Sequence, residues 1–192
     1  MSEHLDGAAV VAEAREWLGT PWHHQAPLKG VGCDCTGLVR GVINAFRPLP
    51  PELQQMDYAR TPDGVTLLRL CREHLHEVPV ADIQPGDVLA FRYDRDPQHM
   101  AIAANYVHGG LSMIHALDQR GRSAGNSAGR VVEHRIDTAW QRRIVAAFRV
   151  PATARGHPGA CQFPISAYFG GPKSAAGCST EGETLSGEIP TP

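Results

Sequence analysis

Apolar residues recur at helical spacing near the N-terminus, at Leu5, Ala8, Ala9, Ala12, Trp17 and Leu18, and Gly19-Thr20-Pro21 stops the run. That pattern predicts an amphipathic helix over about residues 5–18, followed by a polar, glycine-containing loop over 22–32. A second periodic run starts at Cys35 and reaches about Phe46, ending before Pro48, Pro50 and Pro51. A third follows Pro62-Asp63-Gly64 and carries Val65, Leu67, Leu68, Leu70, Cys71 and Leu75. The pattern then changes. Pro85-Gly86-Asp87 is a turn signal leading into a strand from Val88 to Tyr93, and further strands are expected near 100–107, 111–117 and 130–135. Gly109-Gly110 predicts a hairpin between two of them, and Gly121–Gly129 reads as a Gly/Ser/Ala-rich loop. A short helical turn around Trp140 precedes a last strand from Ile144 to Val150.

Beyond Pro151 the composition shifts. More than half of residues 151–192 are Gly, Pro, Ala or Ser, too few large apolar groups to offset the entropy of ordering. The reading is one domain over residues 1–150 and a disordered tail over 151–192, in which Phe163, Ile165, Tyr168 and Phe169 form one small apolar cluster. A net charge of −2 gives no general pull toward nucleic acid. No run approaches the ~18 apolar residues of a membrane span. The acidic, polar start Met1-Ser2-Glu3-His4-Leu5-Asp6-Gly7 lacks the features of a signal peptide, so synthesis in the cytoplasm is expected. Five cysteines, an odd number without framework spacing, agree with reduced thiols.

The richest chemistry lies in Gly32-Cys33-Asp34-Cys35-Thr36-Gly37-Leu38-Val39-Arg40-Gly41-Val42. Here a polar cluster runs directly into a helix and puts the Cys35 thiol in its first turn. Unpaired N–H groups and the positive end of the helix dipole there favour a thiolate. Asp34 is placed to cap the helix, and Gly37 leaves room for a close neighbour. A cysteine nucleophile needs a base, and the base an orienting group, on other elements. His99, at the mouth of one apolar run, and His115, inside the next, could stand side by side on adjacent strands about 4.7–4.9 Å apart. Each has a plainer reading, a buried structural cysteine or a satisfied histidine, and only the combination favours chemistry. Cys71 falls on an apolar stripe and reads as core. His23 and His24 are a loop pair that could line a groove, His74 and His76 read as surface, and His108 as a turn residue. His4, His134 and His157 show no partner pattern. Cys33-x-Cys35 is not a zinc-knuckle spacing and no second pair follows, so neither metal nor cofactor is expected.

Trp17-Leu18-Gly19-Thr20-Pro21-Trp22, Asp34-Cys35-Thr36-Gly37-Leu38-Val39, Pro85-Gly86-Asp87-Val88-Leu89-Ala90-Phe91, His99-Met100-Ala101-Ile102 and Ile114-His115-Ala116 follow one another along the chain. In that order they resemble the NlpC/P60 cell-wall cysteine peptidases over about residues 5–150. The Gly-Cys-Asp-Cys opening and Gly-Leu-Val-Arg-Gly-Val helix are most similar to the phage and gene-transfer-agent branch of that family. The resemblance implies an α+β, papain-like cysteine peptidase fold, with N-terminal helices packed on an antiparallel sheet of about five strands. It also implies Cys35 as nucleophile, His99 as base, His115 as the group orienting it, and a peptidoglycan peptide as substrate. Many members carry Tyr after Gly-Thr-Pro, where the phenol helps to bind the oxyanion. Here Trp22 stands there, with one indole N–H, and the Cys35 backbone N–H is the safer oxyanion donor. Trp22, His24 and Asp34 complete the expected oxyanion- and substrate-binding set.

A cell-wall enzyme without a secretion signal needs another exit, such as a phage-like particle with its tail proteins, or lysis, to act in the periplasm or wall. Two alternatives share the residues: an amidase or acyltransferase on a non-wall substrate, and a catalytically silent tail-tip protein.

Overall fold

A computed structural model describes residues 2–54, 58–59, 63–118 and 129–153. The expected tail beyond 153, its apolar cluster and most of the 121–129 loop therefore lie outside the described residues. Asp6 starts the first helix, α1 (Gly7–Arg15), by accepting the Ala8 N–H at 3.1 Å. Val10, Val11 and Ala14 form its buried stripe, and Trp17 is buried just beyond its end. A two-residue ribbon, β1 (Pro27–Leu28) with β2 (Gly32–Cys33), fills the loop before the second helix, α2 (Cys35–Asn44). A short helix α3 (Pro51–Gln54) and α4 (Thr66–His74) complete the N-terminal half.

The remaining strands are β3 (His76–Val78), β4 (Val88–Arg92), β5 (Pro97–Asn105), β6 (Leu111–Leu117), β7 (Arg130–Arg135) and β8 (Ile144–Arg149). They form one six-stranded sheet in the order β3-β8-β4-β5-β6-β7, with every pair antiparallel. The fold is the expected α+β arrangement with one strand more than anticipated. The added strand is β3, which directly follows the third periodic run and is not among the expected strands. The Gly109-Gly110 hairpin is present. Both glycines have positive φ; the Tyr106 N–H donates to the Gly110 carbonyl at 3.0 Å and the Gly109 N–H to the Tyr106 carbonyl at 2.9 Å.

The two-residue period of the strands sorts side chains onto two faces. Val88, Ala90, Met100, Ile102, Ala104, Ile114 and Phe148 pack under α1 and α2 against Val10, Trp17, Leu38, Val42 and Ile43. Leu89, Phe91, Ala101, Ala103, Met113 and Ala147 form a second cluster on the other face, with Trp140 of α5 (Thr138–Gln141) and Ile144 against it. Because both faces are covered, β4 and β5 read as continuous apolar runs rather than alternating ones.

Two close approaches fix the helices. A side chain at Gly7 would strike the Pro85 carbonyl, so the start of α1 rests on the turn before β4. A side chain at Gly41 would land on the benzo ring of Trp17, so α2 and the end of α1 meet without a gap. Residues 3–5 meanwhile lie along 150–152: Leu5 N–H donates to the Val150 carbonyl at 2.9 Å and Ala152 N–H to the Glu3 carbonyl at 3.0 Å.

Overpacking of a dense core costs about 1–3 kcal/mol. Gly41→Ala is therefore expected to lower stability by about that amount, read as a lower urea midpoint at unchanged m-value. An unchanged midpoint would show that Trp17 can swing away.

Candidate active site

Asp34 organises the start of α2. It is 4% exposed and caps the helix by accepting the Gly37 N–H at 2.9 Å. It also accepts the Gln25 N–H at 2.8 Å and the Tyr58 hydroxyl, whose oxygen is 2.8 and 2.7 Å from the two carboxylate oxygens. His24 Nδ1 stands 3.3 Å away. Gln25 takes φ 58°, a left-handed conformation unusual outside glycine, and Asp34 holds its N–H in that strained geometry. Gly37 is needed because the Ala26 carbonyl occupies the space a side chain would take. One carboxylate thus ties the helix, the preceding loop and Tyr58 together.

The Cys35 sulphur receives N–H bonds from Met100 and Thr36 and lies 4.0 Å from the Thr36 hydroxyl. Those contacts favour the thiolate. Burial and the Asp34 charge oppose them and prevail, pushing the thiol up to about 11. The neighbouring carboxylate and the dense surroundings thus work against the thiolate that the first-turn field favours. Cys33 and Cys71 are pushed up further, each to about 12, chiefly by burial. Cys35 and Cys71 both line the cavity, but Cys71 is buried in its wall, whereas Cys35 is the half-buried one of the three.

His99 and His115 come together as the sequence predicts. His99 Nε2 and His115 Nδ1 are 2.8 Å apart, and both rings are buried. The line continues to a residue that the sequence reading left without a partner: His115 Nε2 lies 3.1 Å from His134 Nδ1 on β7. The three rings share the face occupied by Phe91, Tyr93 and Trp140. His134 carries no signal in the sequence alone, because the register of β7 on β6 decides it. Met113 pairs with His134 and His115 with Val132, so residues 113 and 115 share a face with 132 and 134. Burial lowers His99 to about 4 and drives His115 lower still, where the neighbouring histidines add to the effect.

A cavity of about 1020 Å³ opens over these groups. Trp22, His24, Asp34, Cys35, Tyr58, His99 and His134 all line it, while His115 sits behind His99. His24 thus lines the cavity, stacked on Trp22 at 6.3 Å between centroids and edge-on to Tyr58 at 5.5 Å, whereas His23 stays on the surface. Tyr58 had no sequence signal, because it belongs to no periodic segment. Two other histidines read as surface are also placed: His74 is buried, with Nε2 3.6 Å from Glu52, and His76 Nδ1 meets His4 Nε2 at 2.7 Å. With Glu3, that pair is the one metal-ligand grouping among the described residues, and it does not line the cavity.

The arrangement provides a thiol at a helix N-terminus and an imidazole with one nitrogen committed to a second imidazole, both facing one cavity. That is the apparatus of nucleophilic acyl chemistry. The model of the NlpC/P60 family matches residues 19–149, and the chain belongs to this family. The crystal structure of the NlpC/p60 domain of the peptidoglycan hydrolase SagA is 24% identical. It aligns with a TM-score of 0.50 over 75% of this chain and 98% of that one. An NlpC/P60 family protein from Bacillus cereus is 16% identical with a TM-score of 0.50, and the match spans 75% of this chain and 40% of that one. A lipoprotein-like NLP/P60 protein from Staphylococcus aureus is 19% identical with a TM-score of 0.47, matched over 77% of this chain and 43% of that one. The two structures that align at a TM-score of 0.50 show the papain-like fold. No curated protein gives a significant sequence match.

Removing the Asp34 carboxylate would strand buried donors, which typically costs about 1–3 kcal/mol per group. Asp34→Ala is expected to destabilise by several kcal/mol, and Asp34→Asn, which keeps one acceptor, by roughly half as much; chemical denaturation reads both. Equal stability of the two variants would show that the charge, not the bonding, matters.

The pH dependence of stability has a definite sign. The fold holds His99 and His115 neutral, below the ordinary 6.5, so the unfolded chain takes up protons first as pH falls. Their contribution is complete above 6.5 and is lost progressively as pH falls toward 4 and below. Tm should drop between about pH 7 and 4.5, and His115→Asn should drop less across the same interval. An equal slope in the variant would remove His115 from the account.

Proposed function

We propose that this chain is a cysteine peptidase that cleaves an amide bond in the stem peptides or cross-links of peptidoglycan. The observation that carries the proposal is the convergence of Cys35, at the start of α2, and the hydrogen-bonded His99–His115 pair on one cavity. The family membership supplies the reaction class.

The chemistry follows from the protonation states. His99 Nε2 is committed to His115, so Nδ1 is left to receive the Cys35 proton as sulphur attacks the carbonyl carbon. The Cys35 N–H opens α2, has no partner within the helix, and meets the developing oxyanion. The His99 imidazolium then returns the proton to the leaving amine, and water cleaves the thioester with His99 again as base. Trp22 and His24 form the cavity wall beside the nucleophile and are the proposed substrate-contacting pair. The Gly-Cys-Asp-Cys and Gly-Leu-Val-Arg-Gly-Val sequences support a place for the enzyme with a phage-like or gene-transfer-agent particle, delivered to the wall by that particle or by lysis.

A second reading, hydrolysis or acyl transfer on a non-wall substrate, is favoured by one observation. Leu49, Leu53, Leu67, Leu70 and Leu75 line part of the cavity, which suits a substrate with an apolar portion. The test is incubation of purified muropeptides with the full chain, with products identified by mass spectrometry, alongside a series of acyl esters of increasing chain length. The expected result is a defined amide cleavage that Cys35→Ala abolishes and His99→Ala lowers by ~10²–10⁴-fold. His115→Asn should retain part of the rate, because an amide can still bond His99. Turnover of long-chain esters with intact muropeptides would favour the second reading.

A further inference from the structure

The mechanism above uses Cys35, His99 and His115 and leaves His134 unexplained. A single ring contact would be ordinary packing. Here three imidazoles stand in line across three adjacent strands, with nitrogen–nitrogen distances of 2.8 and 3.1 Å. The line runs from the nucleophile's cavity, through a fully buried ring, to a ring that lines the same cavity.

The hydrogen-bond directions follow from one requirement. If His99 Nδ1 is to accept the thiol proton, its hydrogen must be on Nε2, donated to His115 Nδ1. His115 then carries its hydrogen on Nε2 and donates to His134 Nδ1. His99 Nε2 and both His115 nitrogens are then hydrogen-bonded, and each hydrogen is poised to move outward by one bond. His99 and His115 are 5% and 0% exposed, whereas His134 is half-buried and reaches the cavity. A positive charge costs less where water can solvate it. Asp118 and Arg143 also line this cavity, and Arg143 lies over the Trp140 and Tyr93 rings. Arg15 is taken up by Glu133, the residue before His134 on β7.

We propose that His134 is the outer member of a three-imidazole relay that carries away the charge created on His99 when Cys35 attacks. The step balances. The Cys35 S–H bond breaks as sulphur bonds the carbonyl carbon, and the proton goes to His99 Nδ1. The His99 Nε2 hydrogen passes to His115 Nδ1, and the His115 Nε2 hydrogen passes to His134 Nδ1. His99 and His115 end neutral in their other tautomers, His134 ends as the imidazolium, and the matching negative charge is on the oxyanion. The same path runs in reverse to protonate the leaving amine. His134 is therefore a positioning and charge-accepting residue that acts through its neighbours.

The proposal rests on the reading of Cys35 and His99 as the reacting pair, and one measurement needs no peptidase substrate. The rate of Cys35 alkylation by iodoacetamide, followed by peptide mapping of the full chain across pH, reports how readily the thiol passes its proton to the imidazoles. His134→Ala removes the relay end. His134→Gln keeps an acceptor for His115 but cannot hold a proton. Both variants should alkylate more slowly than wild type near neutral pH and converge with it at alkaline pH, where hydroxide removes the thiol proton directly. Free imidazole should restore His134→Ala, since the vacated space opens on the cavity. Muropeptide turnover should fall by roughly 10-fold in both, less than the ~10²–10⁴-fold expected of a direct acid–base group. Wild-type alkylation rates in His134→Gln would reduce His134 to a hydrogen-bond partner and overturn the relay. So would a loss that persists at alkaline pH, or one that imidazole does not restore. If wild-type protein cleaves no muropeptide, the substrate assignment fails, while the alkylation profiles still decide the relay.

Discussion

The Asp34 carboxylate is the constraint on which the site depends. It is buried, so its charge must be met by donors, and those donors come from separate pieces of chain. The Gly37 N–H sets where α2 begins, the Gln25 N–H sets the path of the loop that brings in Trp22 and His24, and the Tyr58 hydroxyl closes the third side. Cys35 is the next residue, so the position of the nucleophile follows from the satisfaction of its neighbour. The strained backbone at Gln25 persists because this network holds it.

That network carries an electrostatic consequence for the chemistry. A carboxylate beside a thiol resists a second negative charge, and burial reinforces the resistance. The same burial holds the histidines neutral. Both effects weigh against a resting thiolate–imidazolium pair and toward charge separation at the moment of attack. Such a site relies on groups arranged in advance for charges that do not yet exist: the helix N-terminus for the oxyanion, the histidine line for the proton.

Much of this was legible in the sequence. The Cys35 helix, the two histidine-bearing strands and the Gly109-Gly110 turn follow from local periodicity and turn chemistry, which depend on near neighbours in the chain. Asp34 as cap and Gly37 as the point of close approach were also readable, because each is set by the first turn of one helix. What escaped was long-range. Tyr58 reaches Asp34 from a segment without periodicity, and His134 acquires meaning only once β7 is paired with β6. β3 gave no signal because it is three residues long and is defined by pairing with β8. The forces on the thiol divide in the same way: the helix dipole is a local property, while the opposing burial comes from the sheet and loops packed around it.

The pairing of residues 3–5 with 150–152 bears on how this unit comes apart. Segments at opposite ends of the domain hold one another through backbone hydrogen bonds at the edge of the sheet, and Arg47 Nε donates to the Pro151 carbonyl beside them at 3.2 Å. Peeling either end away exposes the unpaired groups of the other. Ends are ordinarily the first places to open, because each can fray alone at little cost. Here the two ends share their bonds, so fraying of one also strips the other of its partners. Opening at either end therefore costs more than for a free terminus, and the thiol chemistry is housed in a body whose two ends are held as one.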